Sequence, residues 1–362
     1  MVAIGLFRVG ARCEGTLTCG PGGRARTAEG VRRAAKVEPV EQSVPTLADV
    51  LDARRRILPY LRPTPLYAYR ALSDRFGADV LVKHENHQPI GAFKVRGGVN
   101  LISQLSGEER ERGVITASTG NHGQSIAYAS ALFGVRAIVC VPEGANPAKV
   151  ASIRGFGAEL VVHGGDFDEA REHCELLANR DGHRYVHSGN EPLLIAGVAT
   201  TTLEILEDQP RLDAIFVPIG GGSGAAGACI VAKAIAPATR IIGVQSEAAP
   251  SAYRSWRERC LVEDRMETFA EGLATRTAFE LPQRILWQWL DDFVLVREDE
   301  IRSAQVAMIE TTRNLIEAAA AAPLAAALRC RDELAGKCVA LIASGGNVTR
   351  AQLAELFAPS PA

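Results

Sequence analysis

The chain has 362 residues, 47% hydrophobic and 23% charged, with a formal net charge of -2. That length exceeds one small core and suits two domains, or one large domain with an insertion. The charge balance leaves no electrostatic case for nucleic acid or an acidic membrane surface, and no apolar stretch approaches the roughly 20 residues that span a bilayer.

The eight cysteines are scattered without a C-x-x-C pair, and Cys140 and Cys229 sit in apolar runs. They read as reduced thiols, which points to a reducing, cytoplasmic compartment. Between Met1 and Lys36 there are seven Arg/Lys and two Glu among many glycines. Residues 1–43 are read as a disordered leader, with an Arg-rich targeting peptide as the alternative.

From Pro45 onward, short β-branched runs alternate with alanine-rich helical stretches. Val80–Val82 leads to a loop and then a helix through Gly97 to Leu105. Gly113–Thr116 leads to one from about Gly123, and Ala137–Pro142 to one near Ala148. Glu159–Val162 precedes a helix from Phe167, and Ala214–Val217 precedes one from Ala225 to Ala236. Ile241–Val244 and Val339–Ala343 complete the strands. The tract Ala318 to Ala322 reads as helix ended by Pro323. Apolar strands alternating with helices predict parallel sheets covered on both faces, with ligands at the carboxyl ends of the strands.

Four loops occupy such ends. Lys94, in Gly91-Ala92-Phe93-Lys94-Val95-Arg96-Gly97, is flanked by an aromatic and glycines. Partial burial there would lower its pKa and ready the amine for imine chemistry, although from this loop alone a surface lysine at a helix start is the default reading. Ser118-Thr119-Gly120-Asn121-His122-Gly123-Gln124 opens a helix whose free N–H groups bind anions, or is a plain N-cap. Gly220-Gly221-Gly222-Ser223-Gly224 contains no Lys or Arg, so backbone N–H groups and the helix dipole must carry any phosphate. The same stretch fits G-x-G-x-x-G through Gly227, with Glu247 about 20 residues on, which keeps a dinucleotide site open. Ser344-Gly345-Gly346-Asn347 is a common turn that can also bring a hydroxyl to a ring nitrogen.

In that order and at strand ends, these loops closely resemble those of the fold-type II pyridoxal-phosphate (PLP) enzymes, in the threonine/serine dehydratase and serine racemase branch. The resemblance runs from about Pro45 to Val348 and includes Arg62-Pro63-Thr64-Pro65-Leu66, Asn190-Glu191-Pro192 and Ile195-Ala196-Gly197. His122 stands where the sulfide-using synthases of this fold carry threonine.

The resemblance implies a tryptophan synthase β-like α/β fold of two domains with twisted, mostly parallel sheets. Residues 44–112 with 191–362 would form the large PLP-binding domain and 113–190 a small mobile one. Lys94 would be the Schiff-base lysine and, with Ser118, catalytic. Phe93 would pack beside the cofactor, Asn121 would bond its ring hydroxyl, Gly220, Gly221, Gly222, Ser223 and Gly224 would hold its phosphate, and Ser344 would meet its pyridine nitrogen. Ser118, Thr119, Asn121 and His122 would surround the substrate carboxylate.

Several positions depart from the family. Thr119 replaces the usual alanine or serine, Ser223 a glycine, and Val198-Ala199 part of Ala-Gly-Gln-Gly-Thr. Gln245 and Ser251 stand at positions matching the racemase divalent-ion ligands, so no metal is expected. Only 18 residues follow Ser344, so a regulatory domain is not expected either. The implied activity is β-elimination on a 3-hydroxy amino acid such as threonine or serine, giving a 2-oxo acid and ammonia, in a cytoplasmic homodimer. A racemase of the same fold is the alternative; a PLP-binding regulatory protein is a more distant one.

Overall fold

The computed structural model describes residues 43–358, so residues 1–42 of the expected leader lie outside it. Among the described residues ten strands form two sheets: β1 (Leu66–Ala68), β2 (Asp79–His84), β3 (Val114–Ala117), β4 (Ala137–Val141), β5 (Glu159–Val162), β6 (Arg184–Tyr185), β7 (Ala214–Pro218), β8 (Arg240–Ser246), β9 (Asp292–Val296) and β10 (Cys338–Ala343). The larger sheet has the order β1-β2-β10-β7-β8-β9 and the smaller β5-β4-β3-β6. All pairings are parallel except that of β1 with β2.

Successive strand residues point to opposite faces, and both faces are covered. On β10, Val339 and Leu341 join a core with Phe216 and Met308. Ala340 and Ile342 join another with Ile215, Val217, Leu203 and Ile230. The smaller sheet divides likewise: Val114 and Val139 face Val99 and Ile126, whereas Ile115 and Cys140 face Cys174 and Ala178. Among the described residues no helix is long and apolar enough to cross a membrane.

Strands β2, β3, β4, β5, β7, β8 and β10 follow the apolar runs read from sequence. β1 and β6 are too short to show a period, and β9 lies at a sheet edge with most residues only partly buried. Several helix boundaries differ from expectation, two of them at Lys94 and Pro323. The helix expected through Gly97 to Leu105 spans Lys94–Ile102. Pro323 does not end its helix but lies inside Ala318–Arg329. An internal proline costs about 3 kcal/mol, yet every residue from Ala319 to Ala327 is buried, and stopping at Pro323 would leave that surface uncovered.

The start of helix Lys94–Ile102 is anchored by a buried charge network. Arg96 donates to Glu85 at 2.7 Å and to Glu204 at 2.6 Å. Lys83 donates to Glu204 and to the Thr64 carbonyl, both at 2.6 Å. Two cations balance two carboxylates in the interior, and each makes a hydrogen bond, the condition under which buried charge is tolerated.

Candidate active site

The four loops meet. Ala92 and Gly345 form a β-bridge, and the Phe93 N–H donates to the Ser344 carbonyl at 3.0 Å. Asn347 Nδ2 donates to the Ile90 carbonyl and to Asn121 Oδ1, both at 2.8 Å, which ties in the second loop. Lys94 Nζ donates to Ser223 Oγ at 3.0 Å and to the Ser188 carbonyl at 3.1 Å, which ties in the third. Together they line a cavity of about 1240 Å³ that includes Phe93, Lys94, Ser118, Thr119, Asn121, His122, Gly220 to Gly224 and Ser344.

Burial lowers the pKa of Lys94 to about 8, because a desolvated ammonium is disfavoured. Its immediate partners are a neutral hydroxyl and a carbonyl. Two other lysines are ion-paired: Lys83 with Glu204, and Lys149, which also lines the cavity, with Glu271.

No backbone N–H from Gly220 to Gly224 has a partner among the described residues. Gly222 has φ +88° and precedes helix Ser223–Ile235, a left-handed conformation that glycine adopts without penalty. A Cβ on Gly220 would lie 2.3 Å from the Gly272 carbonyl oxygen, and one on Gly221 2.1 Å from the Phe279 ring. Glu247, the acid that a dinucleotide site would need, pairs instead with Arg329 at 3.2 Å and does not line the cavity.

At the start of helix Asn121–Phe133, Ser118 Oγ accepts from the Gly120 and Gly123 N–H groups at 3.2 and 3.0 Å. The Asn121 and His122 N–H groups remain without a partner among the described residues. His122 borders the cavity, but its ring turns to Thr116 Oγ1 at 2.9 Å, and burial lowers its pKa to about 3. Its main chain, more than its imidazole, is therefore left for an anion.

Glu317, His187 and Phe279 are among the lining residues that the sequence did not single out. Glu317 accepts from Asn121 Nδ2 at 3.0 Å, and burial pushes its pKa up to about 7. Its signal was faint: a lone acid before the alanine tract. His187 and Phe279 line the same cavity, and nothing in their local sequence connects them.

The family described as "Pyridoxal-phosphate dependent enzyme" matches residues 57–345. The chain belongs to this family. Among relatives, it is 37% identical to the L-threo-3-hydroxyaspartate ammonia-lyase of Saccharomyces cerevisiae, over 87% of this chain and 97% of that one. It is also 37% identical to the L-threonine ammonia-lyase of Thermotoga maritima, over 84% of this chain and 76% of the other. Among solved structures, the serine racemase of Dictyostelium discoideum superposes with a TM-score of 0.80 at 35% identity, over 85% of this chain and 100% of that one. The fold is thus tryptophan synthase β-like, as the sequence resemblance implies.

The residues present fit the cofactor of a PLP enzyme. A phosphate needs donors without competing partners, and five consecutive N–H groups supply them. An aldehyde needs an amine that loses its proton near neutrality, which Lys94 offers. Ser344 lines the cavity, and its hydroxyl has no partner among the described residues; Asn121 lines it too, with Nδ2 donating to both Glu317 carboxylate oxygens at 3.0 and 3.3 Å.

Proposed function

We propose that this PLP enzyme is an ammonia-lyase that eliminates the hydroxyl of a 3-hydroxy amino acid, such as threonine or serine, to give a 2-oxo acid and ammonia. The observation that carries the reading is the pairing of Lys94 with two helix starts that keep free N–H groups in one cavity. One helix start suits a phosphate and the other a carboxylate. Both relatives, from Saccharomyces and Thermotoga, are named ammonia-lyases, for a hydroxyaspartate and for threonine.

Lys94 would hold the cofactor, Gly220 to Gly224 its phosphate, Asn121 its ring oxygen and Ser344 its ring nitrogen, with Phe93 alongside. When bound, PLP supplies the electron sink for bond breaking at the substrate Cα. The free N–H groups of Asn121 and His122, with the Ser118 and Thr119 hydroxyls, would bind the substrate carboxylate and orient the Cα–H toward Lys94. Lys94 Nζ, with its lowered pKa, takes that proton. The same reading carries a homodimer in the cytoplasm and closure of residues 113–190 over the cavity, and these rest on the family resemblance.

A racemase is the second reading, favoured by the likeness to the Dictyostelium enzyme. It needs a second proton carrier opposite Lys94, and Thr119 offers only a neutral hydroxyl with too high a pKa. The test is a panel of threonine, serine and 3-hydroxyaspartate assayed for ammonia, 2-oxo acid and the opposite enantiomer. Enantiomer without ammonia would replace the first reading by the second.

A further inference from the structure

His187 lies between β6 and helix Pro192–Asp208. Its Nδ1 accepts from two backbone N–H groups, Gly189 at 3.1 Å and Asn190 at 2.9 Å. A ring nitrogen that accepts hydrogen bonds carries no proton, so the neutral ring must carry its proton on Nε2. Nε2 has no partner among the described residues, and it is not a fully enclosed unsatisfied atom. It therefore faces open space. Of the two cavities that His187 borders, only the larger contains Lys94. The adjacent residue, Ser188, accepts from the Lys94 amine.

The ring is also held from the side. Phe279 meets it edge-on, with centroids 4.8 Å apart and an interplanar angle of 81°. Phe279 is itself seated against two glycines: a Cβ on Gly189 would lie 2.2 Å from its ring and one on Gly221 2.1 Å. Asn190 Oδ1 accepts from the Leu281 N–H at 3.1 Å, which fixes the 187–190 segment to the start of helix Glu280–Trp289. Burial, with the nearby charges of Arg171 and Lys94, lowers the His187 pKa to about 4, so near neutral pH the ring is a neutral donor.

We propose that His187 recognises the side-chain hydroxyl of the substrate through a fixed Nε2–H, held in that tautomer by the Gly189 and Asn190 N–H groups and in that orientation by Phe279. This rests on the hydroxy-amino-acid reading above. The donated hydrogen bond selects substrates with an oxygen on Cβ and steadies that oxygen as its bond to carbon breaks. No proton leaves the ring.

The test compares matched ligands with and without the hydroxyl on the holoenzyme: serine against alanine, and threonine against 2-aminobutyrate. Apparent Kd values come from the first spectral phase in stopped flow, before elimination. Wild type should prefer the hydroxylated member by about tenfold, the scale of one hydrogen bond. His187→Phe should lose that preference while holding its cofactor and binding alanine as wild type does. His187→Gln, which keeps an N–H donor, should recover part of it. Equal weakening of both ligands in His187→Phe, or an unchanged ratio, overturns the proposal.

Nitrogen-15 shifts of the His187 ring decide the tautomer in the unmutated protein, whatever the variants do. A protonated Nδ1 between pH 6 and 8 overturns the proposal. Failure of wild type to release ammonia from any 3-hydroxy amino acid would be a separate result, against the proposed reaction. The affinity ratio and the shifts are read without turnover.

Discussion

Lys94 Nζ lies 3.0 Å from Ser223 Oγ, so the residue that begins one helix touches the residue that begins another. The contact joins the amine proposed to hold the cofactor to the loop proposed to hold its phosphate. Lys94→Ala should therefore remove the visible band of the holoenzyme and nearly all ammonia release while the fold survives. Borohydride reduction followed by peptide mass spectrometry should place the cofactor on Lys94. A label on Lys83 or Lys149 would contradict the arrangement, since both are already ion-paired.

The phosphate loop yields a contrast between two substitutions. Ser223→Gly removes one neutral hydroxyl, so PLP affinity should stay within about tenfold, a single hydrogen bond being worth roughly 0.5–1.5 kcal/mol. Gly221→Val should abolish cofactor binding, because the Phe279 ring occupies the space a Cβ would need. Fluorescence titration with PLP measures both, and a valine variant that still binds would show that the loop does not approach the phosphate.

Ser344 offers a test of the electronics. A hydroxyl carries no charge and cannot hold a pyridine nitrogen protonated, whereas an aspartate raises that nitrogen's pKa. Ser344→Ala should keep part of the ammonia release, and Ser344→Asp should lose far more. Steady-state rates of the two variants decide it; an aspartate variant as active as wild type would place Ser344 away from the ring nitrogen.

Glu317 predicts a pH dependence of stability. Its folded-state pKa is raised to about 7, chiefly by burial, so the fold favours the protonated acid. The stability that this preference contributes is present at low pH, below the unfolded pKa, and is lost as pH rises through about 7. Glu317→Gln stays neutral, so its urea midpoint should gain on that of wild type as pH rises from about 4.5 to about 7, and the gap should level off above that. A gap that stays constant across that whole interval would mean that Glu317 titrates in its ordinary range.

Arg96 bridges Glu85 and Glu204 in the interior. Arg96→Met leaves two buried carboxylates with only Lys83 to balance them, which should cost about 3–5 kcal/mol. Chemical denaturation checks this, and a variant within 1 kcal/mol of wild type would mean that the network relaxes to admit water.

Much of this molecule is determined by local sequence. The β-branched runs specify seven of the ten strands among the described residues, because buried parallel strands are continuously apolar. Gly-rich, Ser-rich and Asn-rich turns mark the strand ends that line the cavity, and the order of the four loops carries the family. Tertiary structure alone decided the rest. Pro323 stays within a helix because burial of the surrounding alanines outweighs the lost hydrogen bond. His122 turns inward because Thr116, on the preceding strand, offers it a partner. Phe279 reaches Gly189 and Gly221 only after three distant segments converge, and the tautomer of His187 follows from two backbone N–H groups aimed at one ring nitrogen. These outcomes depend on which groups remain without a partner once the chain has closed, and only the fold decides that.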